Sequence, residues 1–426
     1  MKKYQAYKDS GISWIGEIPV DWSIKKLKYY TTINDEVLTE STAPNYEFRY
    51  VDIGSVTLQK GIEQYQGFSF ENAPSRARRI VRAGDVIVST VRTYLKAVAS
   101  IHDDKDVIVS TGFAVIRPKE VDSRFLAYSL ANHYFVEMVS SRSTGVSYPA
   151  INASAMVNIK NILPPNDIQK CIADYLDRKT EAVDTAISDK EKLIRLLEEQ
   201  RTSVICSAVT KGIDSTVEMK DSGNEWIGYI PSHWRVVPAK ALFAQSKEIR
   251  HETDAQLTAS QKYGIISQDD YMERQNYKIV LADKGLENWK HVEPNDFIIS
   301  LRSFQGGLEI SYIPGCITWH YIVLKPKAGV EPEYFKWLFK SPRYIQALQR
   351  TANFIRDGQD LRFSNFVQVP LPLIPMDEQK EIADYLNKKT ARIDSIIADV
   401  TEQIKKLKEY RQSIISEVVT GKVAVG

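Results

Sequence analysis

The chain has 426 residues, 43% of them apolar and 26% charged, the make-up of a water-soluble globular protein long enough for two to four compact units. No stretch approaches the roughly 20 apolar residues of a membrane helix, and the opening Met1-Lys2-Lys3-Tyr4 lacks the apolar core of a secretion signal, so a cytoplasmic location is expected. The 56 basic and 54 acidic residues leave a net charge of only +2, which argues against a protein that coats nucleic acid by bulk charge and fits either no nucleic-acid partner or local basic patches balanced by acidic helices.

In chain order, the first feature is a frame, Lys8-Asp9-Ser10-Gly11-x-x-Trp14-Ile15-Gly16-x-Ile18-Pro19-x-x-Trp22. It returns at Lys220 to Trp234 with ten of fifteen positions identical, an offset of 226 − 14 = 212. Residues from about 23 to 162 follow, a mixed α+β segment. Tyr50–Ile53, Asp85–Ser89 and Phe113–Ile116 read as strands from their β-branched and aromatic content, and Arg124–Ser140 reads as a helix. After Pro164-Pro165 a long helical pattern opens with Asp167 to Leu176, which recurs as Asp377 to Leu386 at eight of ten positions, an offset of 377 − 167 = 210. Between the second frame and the second helix, residues 235 to 372 repeat the α+β pattern, with strands at Asn295–Ser300 and Tyr321–Leu324 and a helix at Pro332–Arg350. Each half therefore has a fixed frame and a divergent middle.

The two helices carry heptad seams. Leu386, Ile393, Val400, Leu407 and Ile414 form one seam of the second helix, with Ile397, Ile404 and Val418 on the other beside Thr390 and Arg411. The first helix gives Leu176, Val183, Leu197 and Val204, interrupted by Lys190, and Thr180, Ile187, Ile194, Arg201 and Ala208. Prolines precede both helices, and Gly212 and Gly421 close them. About 42 residues give roughly 60 Å at 1.5 Å per residue. The second frame starts just past the first helix, so the helices are expected to run antiparallel, with a globular domain at each end and a pseudo-two-fold arrangement. A dimerisation arm would explain one heptad helix but not the duplication. The predicted organisation is a first domain over 1–165, a spacer helix over 166–211, a second domain over 212–375 and a second helix over 376–421.

Polar and basic residues gather in the segments connecting the predicted elements. The first half offers Arg76, Arg78 and Arg79, then Arg92, Tyr94 and Lys96, then Arg142, Ser147 and Tyr148; the second half offers Arg302, Gln305, Arg356, Gln359 and Arg362. Arg and Gln suit bidentate contacts to guanine and adenine edges, and Ser and Lys suit phosphates. A solvated loop explains any single cluster; recurrence at matching places in both halves favours DNA. Trp14, Trp22, Trp226 and Trp234 belong to the invariant frame and are assigned to packing.

Nothing in the sequence supplies chemistry. There is no GxxxxGK[ST] loop, Leu163-Pro164-Pro165-Asn166 is not an amino-methyltransferase motif, and Gly145-Val146-Ser147 is not a GxSxG elbow. His102, His133, His233, His251, His291 and His320 lack metal-ligand spacing, so no metal site is predicted. Cys171, Cys206 and Cys316 form no disulfide framework; free thiols are expected, the first two on helices and the third near a strand. An enzyme with diverged motifs and a scaffold without DNA contact remain alternatives.

The block Asp377 to Leu386, continuing through Tyr410-Arg411-Gln412-Ser413-Ile414-Ile415-Ser416-Glu417-Val418-Val419-Thr420-Gly421-Lys422, resembles the helical region of Type I restriction-modification specificity subunits, and so does the Trp-Ile-Gly-x-Ile-Pro-x-x-Trp frame. The resemblance spans the chain. It implies two target-recognition domains, each reading half of a bipartite DNA target, and paired helices that set the gap and dock two methyltransferase subunits. It further implies motor-nuclease subunits as partners, with S-adenosylmethionine, ATP and Mg2+ on the partners and no cofactor or catalysis on this chain.

Overall fold

A computed structural model describes residues 3–13, 15–260, 262–276, 282, 284–301, 303–352 and 361–425, apart from the side chain of Phe304. The chain divides into two compact units, Met1–Glu191 with Thr401–Gly426, and Lys192–Val400. None of the described helices is long and apolar enough to cross a membrane.

Each unit opens with the frame, which folds as a β-hairpin. Tyr7–Asp9 pairs with Glu17–Pro19, and Met219–Asp221 pairs with Tyr229–Pro231 in the same register. The turn is duplicated bond for bond: Gly11 N donates to Asp9 Oδ1 and Gly223 N to Asp221 Oδ1, both at 3.0 Å. Ser10 N and Ser222 N donate to Gly16 O and Gly228 O, again both at 3.0 Å. Trp22 and Trp234 are buried, as a packing role requires, and the half-buried Trp226 donates to Pro370 O at 3.2 Å. Trp14 lies outside the described residues.

The first unit carries an antiparallel sheet in the order Val98–Ser100, Val86–Ser89, Phe113–Pro118, Thr31–Ile33. The second unit repeats it as Glu309–Ile310, Phe297–Ile299, Ile322–Pro326, Phe243–Gln245. The register matches too, Val86 opposite Ile116 and Phe297 opposite Leu324. A second sheet in the first unit, Gln66–Ser69, Glu47–Val51, Val107–Ser110, Ala77–Ile80, contains a parallel pair, 47–51 with 107–110. In the second unit the described residues of this layer form the hairpin Leu257–Ser260 with Gly264–Ser267 and the pair Lys290–Val292 with Gly315–Ile317; one parallel bridge joins Gln256 to Cys316.

The helices expected over Arg124–Ser140 and Pro332–Arg350 are each two helices. Ser123–Ala131 and His133–Ser141 break at Asn132, whose side chain accepts from Phe135 N and so caps the second piece. Pro332–Lys340 and Pro342–Gln349 break at Ser341, because Pro342 has no N–H to continue the first helix. Arg78 and Arg79, read as part of a connecting segment, lie within the strand Ala77–Ile80.

The long helices run Asn166–Lys211 and Met376–Val419, 46 and 44 residues. Cys171 and Cys206 lie on the first of them and Cys316 on the strand Gly315–Ile317, all as free thiols. Gln169 and Gln379 anchor the two helix starts identically. Each is buried, accepts a backbone N–H through Oε1 (Asp122 and Glu331), and donates Nε2 to the carbonyl five residues back, Pro164 or Ile374, at 2.8 Å. Within the first unit Arg411 Nε meets Asp184 Oδ1 at 2.9 Å and Lys190 Nζ meets Gln403 Oε1 at 2.6 Å, so the helices run antiparallel there. Within the second unit Arg201 Nε meets Asp394 Oδ1 at 2.8 Å, and further along Ile205, Ala208 and Val209 share a hydrophobic cluster with Ile382, Ala383 and Leu386, again antiparallel. Arg201 and Arg411 are 411 − 201 = 210 residues apart, as are Asp184 and Asp394: one pair, made twice with the helices' roles exchanged.

Of the seam residues, Leu176, Val183, Leu386, Ile393, Val400 and Ile404 are buried, while Ile187, Ile194, Leu197, Ile397 and Leu407 are half-buried, as a two-stranded seam permits. Gly212 and Gly421 end the helices at φ 74° and 75°. The first frame seats on the end of the second helix, with Trp22 in one cluster with Ile414, Val418 and Val419, and Tyr7 donating to Gly421 O at 3.1 Å. The second frame seats on the end of the first helix, where Trp234 clusters with Ile205, Ala208 and Val209.

Candidate nucleic-acid interface

In the first unit, the strand Val86–Ser89 runs into a loop whose backbone is held in an uncommon form. Arg92 (φ 52°, ψ 47°) and Lys96 (φ 54°, ψ 35°) are both left-handed and bracket a single 3-10 turn, Thr93–Leu95. Each such non-glycine residue costs about 1–2 kcal/mol, so surrounding bonds must hold the loop. They are present: buried Thr93 donates to Ser143 Oγ at 2.8 Å, Ser143 Oγ donates to Val139 O at 2.8 Å, and Ile151 N donates to Thr90 O at 2.9 Å. Bridges from Val91 and Thr144 to Ala150 tie this loop to the one spanning 142–150.

The two loops together present Arg92, Tyr94, Arg142, Ser147 and Tyr148 to solvent. The Arg92 guanidinium lies over the Tyr148 ring, 5.0 Å from its centre, which stiffens both groups without consuming the arginine's donors. Gly145 (φ 108°) permits the tip, since a Cβ there would lie 3.1 Å from Tyr148 O. Val146 at that tip is fully exposed. Arg76 joins the same edge through the 111–112 turn: Thr111 N donates to Arg76 O and Thr90 N to Gly112 O, both at 2.8 Å. Among the described residues none forms an ion pair with Arg76, Arg92 or Arg142.

The other first-half candidates are less available. Lys96 pairs with Glu137 at 2.5 Å, and its ammonium holds that carboxyl below the usual range. Arg78 packs over Phe70, 4.6 Å from the ring centre, donates to Ala77 O at 3.0 Å and lies 3.9 Å from Glu40. Arg79 is half-buried with Nε unpartnered, and burial lowers its pKa. Of Arg76, Arg78 and Arg79, Arg76 is the exposed one.

In the second unit, Arg302, Arg356 and Gln359 lie outside the described residues. Gln305 is exposed on the short helix Ser303–Gly306, whose buried Ser303 accepts from Ser300 N at 2.8 Å. Gly307 (φ 76°) is required after it, because a Cβ would collide with Phe339 O at 2.1 Å. Arg362 is exposed at the start of Phe363–Phe366, its backbone N–H donating to Asn365 Oδ1 at 2.9 Å. Sequence reasoning missed Trp319. It lies just past the strand Gly315–Ile317, the place the 111–112 turn holds in the first unit, where it stacks on His320 at 3.4 Å and is 53% exposed. Alignment of the strand ends was the available signal; the divergent middles hid it.

The family model of the Type I restriction modification DNA specificity domain matches this chain twice, over residues 19–194 and 231–406. The chain belongs to that family. It is 22% identical over 449 aligned positions to a putative type I restriction enzyme MjaX specificity subunit of Methanocaldococcus jannaschii, covering 99% of this chain and 98% of the relative. To the EcoKI specificity subunit of Escherichia coli K12 it is 20% identical, over 72% of this chain and 68% of the relative. Among solved structures, a chain from work on complex assembly and conformational transition of the type I R-M system superposes with a TM-score of 0.71 at 21% identity, covering 95% of this chain and 99% of the other. The HsdS subunit from Thermoanaerobacter tengcongensis gives 0.52 at 22% identity, covering 95% and 98%. These superpositions carry the fold. As a Type I specificity chain, the protein has two specificity domains in tandem with a long helix between them.

Proposed function

We propose that this chain is the non-catalytic DNA-reading subunit of a Type I restriction-modification complex, each recognition domain reading one half of a bipartite, gapped target. The observation that carries this reading is the same sheet built twice in one chain, with exposed loops of unlike chemistry at matching places. Arg92, Tyr148, Arg142 and Arg76 serve the first half-site; Gln305, Arg362 and Trp319 serve the second, together with Arg302, Arg356 and Gln359. In this reading the helices fix the gap and dock two methyltransferase subunits. Leu193, Leu196 and Ile396, apolar and exposed outside the seam, support a docking role. Motor-nuclease subunits complete the assembly; S-adenosylmethionine, ATP and Mg2+ act on the partner subunits.

The test is methylome sequencing of cells carrying the full chain with its methyltransferase subunit. A single two-part motif with a fixed gap is expected; methylation without a gapped motif would contradict the reading, and activity of the isolated chain would favour an enzyme. Inserting four residues into the helix Asn166–Lys211 should lengthen the gap and leave both half-sites unaltered.

A further inference from the structure

The two units neutralise one corner of their sheets differently. In the first unit Arg117 bonds Asp85 at 2.9 Å and Glu36 at 2.7 Å, and Arg82 adds a second pair to Glu36 at 2.7 Å. Strand register assigns the counterparts. Ile33 opposes Ile116, and Gln245 opposes Leu324, so Glu36 corresponds to Glu248 and Arg117 to Lys325. Asp85 corresponds to Asp296, each preceding the matched strand, and each accepts a backbone N–H from three residues earlier, Arg82 or Glu293. One guanidinium has thus become a carboxylate and the other an ammonium. Lys325 keeps its bond to Glu248 at 2.8 Å. Asp296 has lost its guanidinium, and burial pushes its pKa up to about 6.

Two histidines enter this acidic corner. Buried His291 has Nδ1 2.8 Å from Asp254 Oδ2 and Nε2 2.8 Å from Glu293 Oε1. The ring of His251 lies 4.0 Å from that of His291, centre to centre, and its Nε2 is 3.4 Å from Glu248 Oε1. One ligand atom each of Glu248, His251 and His291 falls within 4.8 Å of the other two. Lys325 thus sits among the carboxylates of Glu248, Glu293 and Asp296, while Asp254 and Glu293 flank His291.

We propose that the second unit holds a divalent transition-metal ion of the zinc class on Glu248, His251 and His291. Imidazole and carboxylate are the borderline donors such an ion takes, at about 2.0–2.2 Å, so the three atoms must draw in by about 1 Å. Glu248 and His251 are exposed; Glu248 keeps Oε2 on Lys325 and offers Oε1 to the ion. Asp254 holds His291 through Nδ1, the arrangement that fixes a ligand histidine's tautomer and aims its Nε2 at a metal. Glu293, already on that nitrogen, exchanges its hydrogen bond for the fourth coordination position or yields it to water. The ion would cross-link the 248–254 segment to the strand Lys290–Val292, in a layer whose described residues form two-stranded pairs where the first unit has a four-stranded sheet.

The experiment uses the full chain, stripped with a chelator and dialysed against Zn2+, with Co2+ as a spectroscopic substitute. One Zn2+ per chain and visible Co2+ absorption of a low-coordinate site are expected, with both lost in His251→Ala. Because the His251 side chain is 53% exposed, its removal opens no core, and an unchanged melting profile without metal verifies the fold. Asp254→Asn should weaken binding by roughly 10–100-fold, the usual effect of removing a carboxylate behind a ligand histidine. His102→Ala should bind like the parent. A parent chain that retains no Zn2+ after dialysis, or a His251→Ala chain that binds as tightly as the parent, overturns the proposal.

Discussion

The two halves of this protein agree in the frame, the central sheet and the helix starts, and differ in the second layer and in the exposed loops. The frame hairpins repeat the same turn bonds, and Gln169 and Gln379 make the same carbonyl contact at 2.8 Å. Beyond the sheet strands, one half has Arg92 over Tyr148, and the other has Gln305 and the Trp319–His320 stack at the matching strand ends. The constant part is constrained by geometry that few residues satisfy: buried tryptophans, left-handed glycines, a glutamine with both ends bonded. The variable part is constrained only at hidden anchors. Thr93 and Ser303 differ, yet both are buried hydroxyl residues that lock their loops. Specificity can then change by substitution at exposed positions while the anchors stay.

The largest effect expected from breaking this correspondence is in the frames. Trp22→Ala and Trp234→Ala should each cost about 3–5 kcal/mol. Hydrogen exchange should show protection lost only within the unit that carries the substitution; loss spreading equally through both units would count against two separately packed frames. Next come the loops. Arg92→Ala should cost roughly 1–3 kcal/mol of DNA affinity and relax specificity in one half-site, with a shallower salt dependence. Lys96→Ala, at a side chain already paired with Glu137, should do less, and titration of labelled DNA at several salt concentrations would rank the two. The smallest effect is at the helices. Arg201→Ala and Arg411→Ala should each cost no more than about 1 kcal/mol, because both pairs are partly exposed. The two losses should match in urea unfolding; a large inequality would show that the helix contacts are not equivalent.

Much of the scaffold was legible because repetition amplifies weak signals. Heptad seams, the proline before each helix and the glycine after it are local patterns, and each occurs twice. The helix breaks at Asn132 and Ser341 were less visible, since apolar periodicity runs through them and only a capping side chain or Pro342 interrupts the backbone. The exposed loops were half legible. Charge drew attention to Arg78 and Arg79, but strand alternation and packing on Phe70 decide their exposure, and neither can be read from an arginine count. Trp319 was passed over because its neighbours have no counterpart in the first half. The histidine cluster was illegible for a different reason: His251 and His291 stand 291 − 251 = 40 residues apart, and only the fold brings their rings together.

The central claim is that each duplicated domain reads its own part of the target. Exchanging residues 23–162 for the corresponding segment of another specificity chain, and sequencing the methylome made with the same methyltransferase subunit, tests it most directly. The account predicts a new sequence in one half of the motif, with the other half and the gap unchanged. A motif unchanged in both halves, or altered in both, would contradict it.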